Sequence, residues 1–365
     1  MLWLLIFVPT AFVLEKLEVQ PLIVFACTAL AIMPLAVLME KSTEVVAHHL
    51  GPTYGGLLNA TMGNAPELII GIAALNNGLI DMLKGSIAGS IIGTLLFGVG
   101  ITMIAGSSRR SSETAFDGHT ASINSSLLII ASFGLIIPAV FASAQKVVNA
   151  EISVEISLVL LMMYVMSLVY TLTTHQQTVG PAAVEASERA AGHLASVNDM
   201  EQTEAELRPR WSLRQAMLML AGVATAIAFV SDLLTDSLQP AADALHLNPM
   251  FAGVFMLALV GNIPQYMNSV AFARKGQMTL ALSINLGSTT QLVLLVAPLL
   301  VLLAHFMGKP MNLLFGNFEI VGSILAVFLT RHLLLDNRCN WLEGCMLVGV
   351  YIMLAIGFYN APSVS

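Results

Sequence analysis

Glu67 is a carboxylate in the middle of an apolar run, three residues after Asn64 and four after Gly63, with Pro66 directly before it. On a helix that spacing sets carboxylate, amide and a loosened backbone on one face. Proline removes a backbone donor and glycine relaxes the chain, so carbonyl oxygens are freed at the same place. A carboxylate at membrane depth costs ~2.5–3.5 kcal/mol on insertion scales, which makes Glu67 a functional candidate by default; the plainer reading is a protonated acid hydrogen-bonded between helices. The pattern returns 198 residues later as Gly261-Asn262-Ile263-Pro264-Gln265, with an amide in place of the acid. Gln265 can offer a carbonyl oxygen to a cation but cannot take up or release a proton.

These residues form the expected cation and proton site: Asn64, Glu67, Asn262 and Gln265, with Gly63 and Gly261 contributing backbone oxygens. Asn268 and Ser269 extend the second stripe. The helices that follow carry Ser86, Ser90 and Thr94 in one half and Ser288, Thr289, Thr290 and Gln291 in the other. Ser90, Ser288 and Gln291 are expected to line the cavity, although small hydroxyl residues also serve close helix packing. Glu44, with Glu40 one turn earlier, and Asp232 are expected to pass protons between cavity and water; the alternative is that they snorkel or pair at the interface. Oxygen ligands without a Cys or His cluster favour Ca2+, Mg2+, Na+ or H+ over zinc or copper. If Glu67 must be ionised to hold a cation, protons and cation compete for it, and exchange follows. Cys27, Cys339 and Cys345 lack metal-ligand spacing, and His48, His49 and His175 read as loop histidines.

Such a site needs a membrane around it. Of the 365 residues 57% are hydrophobic and 10% charged, which excludes an ordinary soluble enzyme. Apolar runs give spans near 1–15, 20–40, 54–77, 84–106, 123–145, 151–174, 212–235, 250–274, 278–306, 314–332 and 340–359. The first run has no basic leader or cleavage site and reads as a retained helix. The expected fold is therefore all-α and polytopic, with about eleven transmembrane helices. The acidic segment 175–211 reads as a solvated linker. One set of loops holds eleven basic residues, among them Lys41, Arg109, Arg110, Arg274 and Arg338, and the other holds only Lys16, Lys84, Lys146 and Lys309. The positive-inside rule then puts the N-terminus and linker in the cytoplasm and the C-terminus opposite.

The offset that joins the two motifs also aligns Gly78 with Gly276 and Gly89-Ser90 with Gly287-Ser288, so the chain is an internal duplication. Helix 1–17 leads; repeats 18–174 and 212–365 follow. Five spans per repeat force the copies to cross in opposite senses, and paired broken helices near the midplane are a common transporter site.

At these residues the chain resembles the calcium/cation exchanger superfamily and, within it, the calcium:proton exchangers. The likeness rests on Gly55-Gly56-Leu57-Leu58-Asn59-Ala60-Thr61, Gly63-Asn64-Ala65-Pro66-Glu67-Leu68-Ile69-Ile70, Gly89-Ser90 and Asn124-Ser125-Ser126-Leu127-Leu128. It implies that Asn64 and Glu67 coordinate the cation with Asn262 and Gln265, and that Glu44 and Asp232 assist passage. Where the family's second motif reads Gly-Asn-Ala-Ala-Glu-His, this chain has Gln265-Tyr266 for the last two, and Thr94 replaces a common Asn. The site thus has one charge fewer, and two-proton exchange would need Asp232 or Glu44 as the second carrier.

The leading expectation is a Ca2+:H+ antiporter working by alternating access. Next comes a monovalent Na+ or K+:H+ antiporter, motivated by Gln265, then a cation channel or a non-transporting scaffold. An intramembrane enzyme has no supporting motif. No cofactor is expected. Partners are the small cation, protons and the lipid bilayer, with no nucleic acid; the short tails point to a bacterial inner membrane.

Overall fold

The computed structural model describes residues 2–107, 114–145, 150–174, 211–309 and 311–361. After a 3-10 turn, Leu2–Ile6, the helices are α1 Phe7–Lys16, α2 Pro21–Met62, α3 Ala65–Asn76, α4 Ile80–Ser107, α5 Gly118–Gln145, α6 Ala150–Thr174, α7 Leu213–Ala244, α8 Pro249–Arg274, α9 Met278–Phe306, α10 Asn317–Leu333 and α11 Trp341–Tyr359. Among the described residues eight are long and apolar enough to cross a membrane. The other three expected spans are built differently. Span 1–15 is the short α1 plus its 3-10 turn, and span 314–332 is the 17-residue α10. Span 54–77 is two pieces, because α2 bends at Gly51 (φ 80°), continues through 52–62 and gives way to α3 at Gly63-Asn64. His48 and His49 are exposed on α2 just before that bend rather than on a loop. The linker, apart from Trp211, and His175 lie outside the described residues.

The 198-residue offset carries into the backbone. Gly78 and Gly276 both hold positive φ, 74° and 84°, at the turns α3–α4 and α8–α9. Each following helix then widens into a π turn, Gly93–Gly98 in α4 and Leu292–Val296 in α9. At the signature motif the copies part. The expectation of two broken helices holds only for the first: α8 runs unbroken through Gly261 to Gln265. Proline removes the amide that would bond to the carbonyl four residues earlier, freeing Met62 O and Val260 O alike. In α8 the Asn262 amide turns back onto Ala258 O at 2.7 Å and supports its own helix. Asn64 instead spends its amide on α9, donating to Ser288 O (3.2 Å) and Gln291 Oε1 (3.1 Å), so nothing comparable braces the break.

Helix α4 is the centre of the packing, buried almost continuously from Met82 to Leu96. Lipid supplies no hydrophobic drive between helices, so association depends on close approach at small residues. Gly100 of α4 meets Gly344 of α11 backbone to backbone, where a Cβ on Gly344 would lie 2.6 Å from Gly100 O. Short strands Thr114–Ala115 and Arg338–Cys339 pair antiparallel and tie the approach to α5 to that of α11. On the other loop set, Lys84 bonds Asn312 and Lys309 Nζ caps α3 at Asn76 O. Each of these contacts joins loops that the basic-residue split assigns to one side.

Gly344→Ala should therefore cost about 1–3 kcal/mol through overpacking, lowering the melting temperature of the detergent-solubilised protein. Gly349→Ala, where a Cβ would meet nothing within 4 Å, should leave it unchanged. Equal losses would contradict the packing account.

Candidate cation-binding site

The two motif asparagines reach across to the opposite half in the same way. Asn262, on α8, donates Nδ2 to Ser90 Oγ of α4 at 2.8 Å and accepts from Thr94 Oγ1 at 3.3 Å. Asn64, the residue preceding α3, accepts from Ser288 Oγ of α9 at 2.7 Å. Ser90 and Ser288 are equivalent at the 198-residue offset, so each half supplies an amide to the other's serine. Both asparagines are buried, which makes these bonds the means of satisfying groups that water cannot reach.

Glu67 stands in the first turn of α3, where the helix amides and dipole suit a negative charge. It faces Gly261: a Cβ there would lie 3.4 Å from Glu67 Cγ, in van der Waals contact, so the second motif's glycine and the first motif's acid are neighbours. Beside it is a cavity of about 20 Å3, lined by Glu67, Ser86, Ser90 and Gly261 and closed by apolar residues including Leu257 and Val296. That is room for about one water molecule. Glu67 Oε2 is buried and has no hydrogen-bond partner among the described residues. A charge left so is costly unless a proton or a cation matches it.

Gln265 occupies the equivalent place in α8 but is fully engaged. Its Oε1 accepts from Ser288 Oγ at 2.8 Å, and its Nε2 donates to Asn285 Oδ1 at 3.4 Å. Ser288 Oγ therefore lies within hydrogen-bond distance of two carbonyl oxygens, Asn64 Oδ1 and Gln265 Oε1. A hydroxyl has one proton to give, so one of those oxygens always remains an acceptor without a donor. The unpartnered Glu67 oxygen and this spare neutral acceptor are both oxygens able to ligate a cation.

The structure does not bring Glu44 or Asp232 into this cluster. Both are exposed, Glu44 one turn beyond Glu40 and Asp232 one turn before Asp236. Hydrogen bonds fall on those neighbours instead: Asn268 Nδ2 donates to Glu40 Oε2 at 2.6 Å, and Asn77 Nδ2 to Asp236 Oδ1 at 2.7 Å. Sequence reasoning passed over Asn285 and Thr102, which bond each other at 3.1 Å. Their signal was present, since both are polar residues in otherwise apolar helices, but only the fold puts them beside Gln265. Tyr266, in place of the family's His, is buried with its ring edge-on to Phe97. Gly93 leaves space for its hydroxyl.

In cation-free detergent, Glu67→Gln should raise thermal stability, and most at high pH, where the wild-type carboxylate has to ionise unmatched. A variant less stable than wild type across the pH range would contradict the unpartnered-charge reading.

The sequence pattern of the family described as "Sodium/calcium exchanger protein" matches residues 20–173 and 215–360. A Ca(2+)/H(+) antiporter of Aphanothece halophytica is 34% identical over 365 residues, covering 99% of this chain and 96% of that one. The Ca(2+)/H(+) antiporter ChaA of Bacillus subtilis is 34% identical over 339 residues, covering 92% of each. The solved structure of the Ca2+/H+ antiporter protein YfkE superposes with a TM-score of 0.79 at 29% identity, covering 98% of both chains.

Proposed function

The chain belongs to the sodium/calcium exchanger protein family, and from that premise we propose that it is a secondary Ca2+:H+ antiporter of a bacterial plasma membrane. The observation that carries the reading is Glu67 Oε2, buried without a donor among the described residues, beside a cavity that Ser86 and Ser90 also line. Ca2+ is bound by Glu67, Asn64 Oδ1 and Gln265 Oε1, with Met62 O and Val260 O freed by the two prolines. Binding displaces the proton that otherwise neutralises Glu67. The full-length Ca(2+)/H(+) antiporter relatives support Ca2+ as the cation.

The two halves are inverted repeats, and alternating access exchanges their roles. Where α4 meets the start of α8, Gly89 has no room for a Cβ against Val254 O, nor Gly253 against Met82 O. The equivalents of Gly89 and Gly253 are Gly287 and Gly55. A Cβ on Gly287 would meet nothing within 4 Å, and Gly55 packs against Ala47 O of its own α2 rather than against α9, with Tyr54 69% exposed. Tight glycine packing between α4 and α8 on the side of Lys84 and Lys309 supports a pathway closed there and accessible from the side of Gly51 and Arg274. With the basic loops cytoplasmic, this is a cytoplasm-facing state. Glu40, hydrogen-bonded to Asn268 three residues along α8 from Gln265, is the carboxylate that takes the role Gln265 cannot perform.

Gln265 also motivates a second reading, monovalent Na+ or K+ exchange, because a neutral amide compensates a divalent ion less well. A cation panel in inverted vesicles separates the two. Ca2+ uptake driven by a pH gradient is expected, with a loss of at least about a hundredfold in Glu67→Gln, the upper end of what a lone charge-assisted bond is worth. Proton flux elicited by Na+ or K+ but not by Ca2+ would favour the monovalent exchanger. In a background freed of its native cysteines, Ser283→Cys should react with an impermeant thiol reagent from the cytoplasmic side much faster than Ser86→Cys from either side. Equal rates would contradict one-sided access.

A further inference from the structure

Which end of the Gln265 amide faces the ion is decided by a residue that does not touch it. Only the oxygen end can ligate a cation; the –NH2 end repels one. We propose that Asn285 is a positioning residue that fixes Gln265 with its carbonyl oxygen turned into the cation site, so that this chain's neutral amide acts as a ligand. The proposal rests on the site described under Proposed function.

Hydrogen-bond polarity carries the argument. Asn285 is fully buried in α9, and its Nδ2 donates to Thr102 Oγ1 of α4 at 3.1 Å and to Ala281 O of its own helix at 3.3 Å. Ala281 O can only accept, so the Asn285 amide must point that way. Its Oδ1 is then the end left for Gln265, and an oxygen there calls for the Nε2 of Gln265, found at 3.4 Å. With Nε2 so placed, Oε1 is the end that meets Ser288 Oγ at 2.8 Å, beside Asn64 Oδ1. Thr102 is held in turn by donors and acceptors of α4 and α8, with Gly98 O at 2.7 Å and Ser269 Oγ at 3.0 Å from its hydroxyl oxygen. Gly98 leaves the space: a Cβ on it would lie 3.2 Å from Asn285 Oδ1. Polarity thus runs Ala281 and Thr102, Asn285, Gln265, ion.

A carboxylate at position 265 would need no such control, since both its ends are oxygen. That difference supplies the test. In proteoliposomes, Asn285→Ala should raise half-saturating Ca2+ about five- to tenfold, with a smaller effect on maximal rate. In a Gln265→Glu background the same substitution should shift it less than about twofold, because orientation no longer matters. Thr102→Val, isosteric and farther from the ion, should reproduce part of the Asn285→Ala effect in the wild-type background only. Equal shifts in both backgrounds would mean that Asn285 merely holds α9 to α4, and would overturn the proposal, as would no shift in either. A Glu67→Gln control that still transports normally would overturn the site itself, a failure distinct from that of Asn285.

Discussion

An ionised carboxylate in a low-dielectric interior has to be matched by a positive partner or give up its charge. Glu67 meets that constraint with one oxygen that no donor reaches. The surrounding architecture keeps it in that condition: Gly261 lies against the side chain, and Leu257 and Val296 close the cavity. A better-satisfied acid would bind neither proton nor metal ion reversibly.

Two-fold logic governs how the rest is assembled. Each asparagine meets the serine of the other half, each pair of motif helix and successor turns at a positive-φ glycine, and each successor helix carries a π turn. The departures from that logic fall where transport requires them. One motif helix is broken and the other continuous; one central acid has become an amide; Gly89 and Gly253 pack α4 against α8, whereas Gly287 faces open space and Gly55 packs on its own helix.

Much of this was legible in the sequence. Membrane character, most of the spans and the fixed offset follow from apolar run lengths and the repeated Gly, Asn, Pro and Ser, which report local chemistry directly, whereas the length of α2 and the break of 54–77 do not. The approach of Glu67 to Gly261 followed from matching the two motifs. Other features depend on where side chains reach. Both Gly-Asn-x-Pro motifs carry the same helix-weakening residues, yet Asn262 braces its helix through Ala258 O while Asn64 bonds away to α9. Glu44 and Asp232 were the expected proton carriers, whereas the amides of Asn268 and Asn77 bond the acids one turn away, Glu40 and Asp236, a choice that only side-chain reach makes visible. Asn285 carries no motif at all, and its relation to Gln265 exists only through hydrogen-bond polarity.

The claim at the centre is that metal ion and proton are alternatives at one carboxylate. Adding Ca2+ to purified protein in weakly buffered detergent, with a pH-sensitive dye as the readout, tests it without vesicles, gradients or assumptions about orientation. The account predicts a stoichiometric burst of protons from the wild type and none from Glu67→Gln that traces to this site. Saturable Ca2+ binding by the wild type with no proton release at any pH would contradict it.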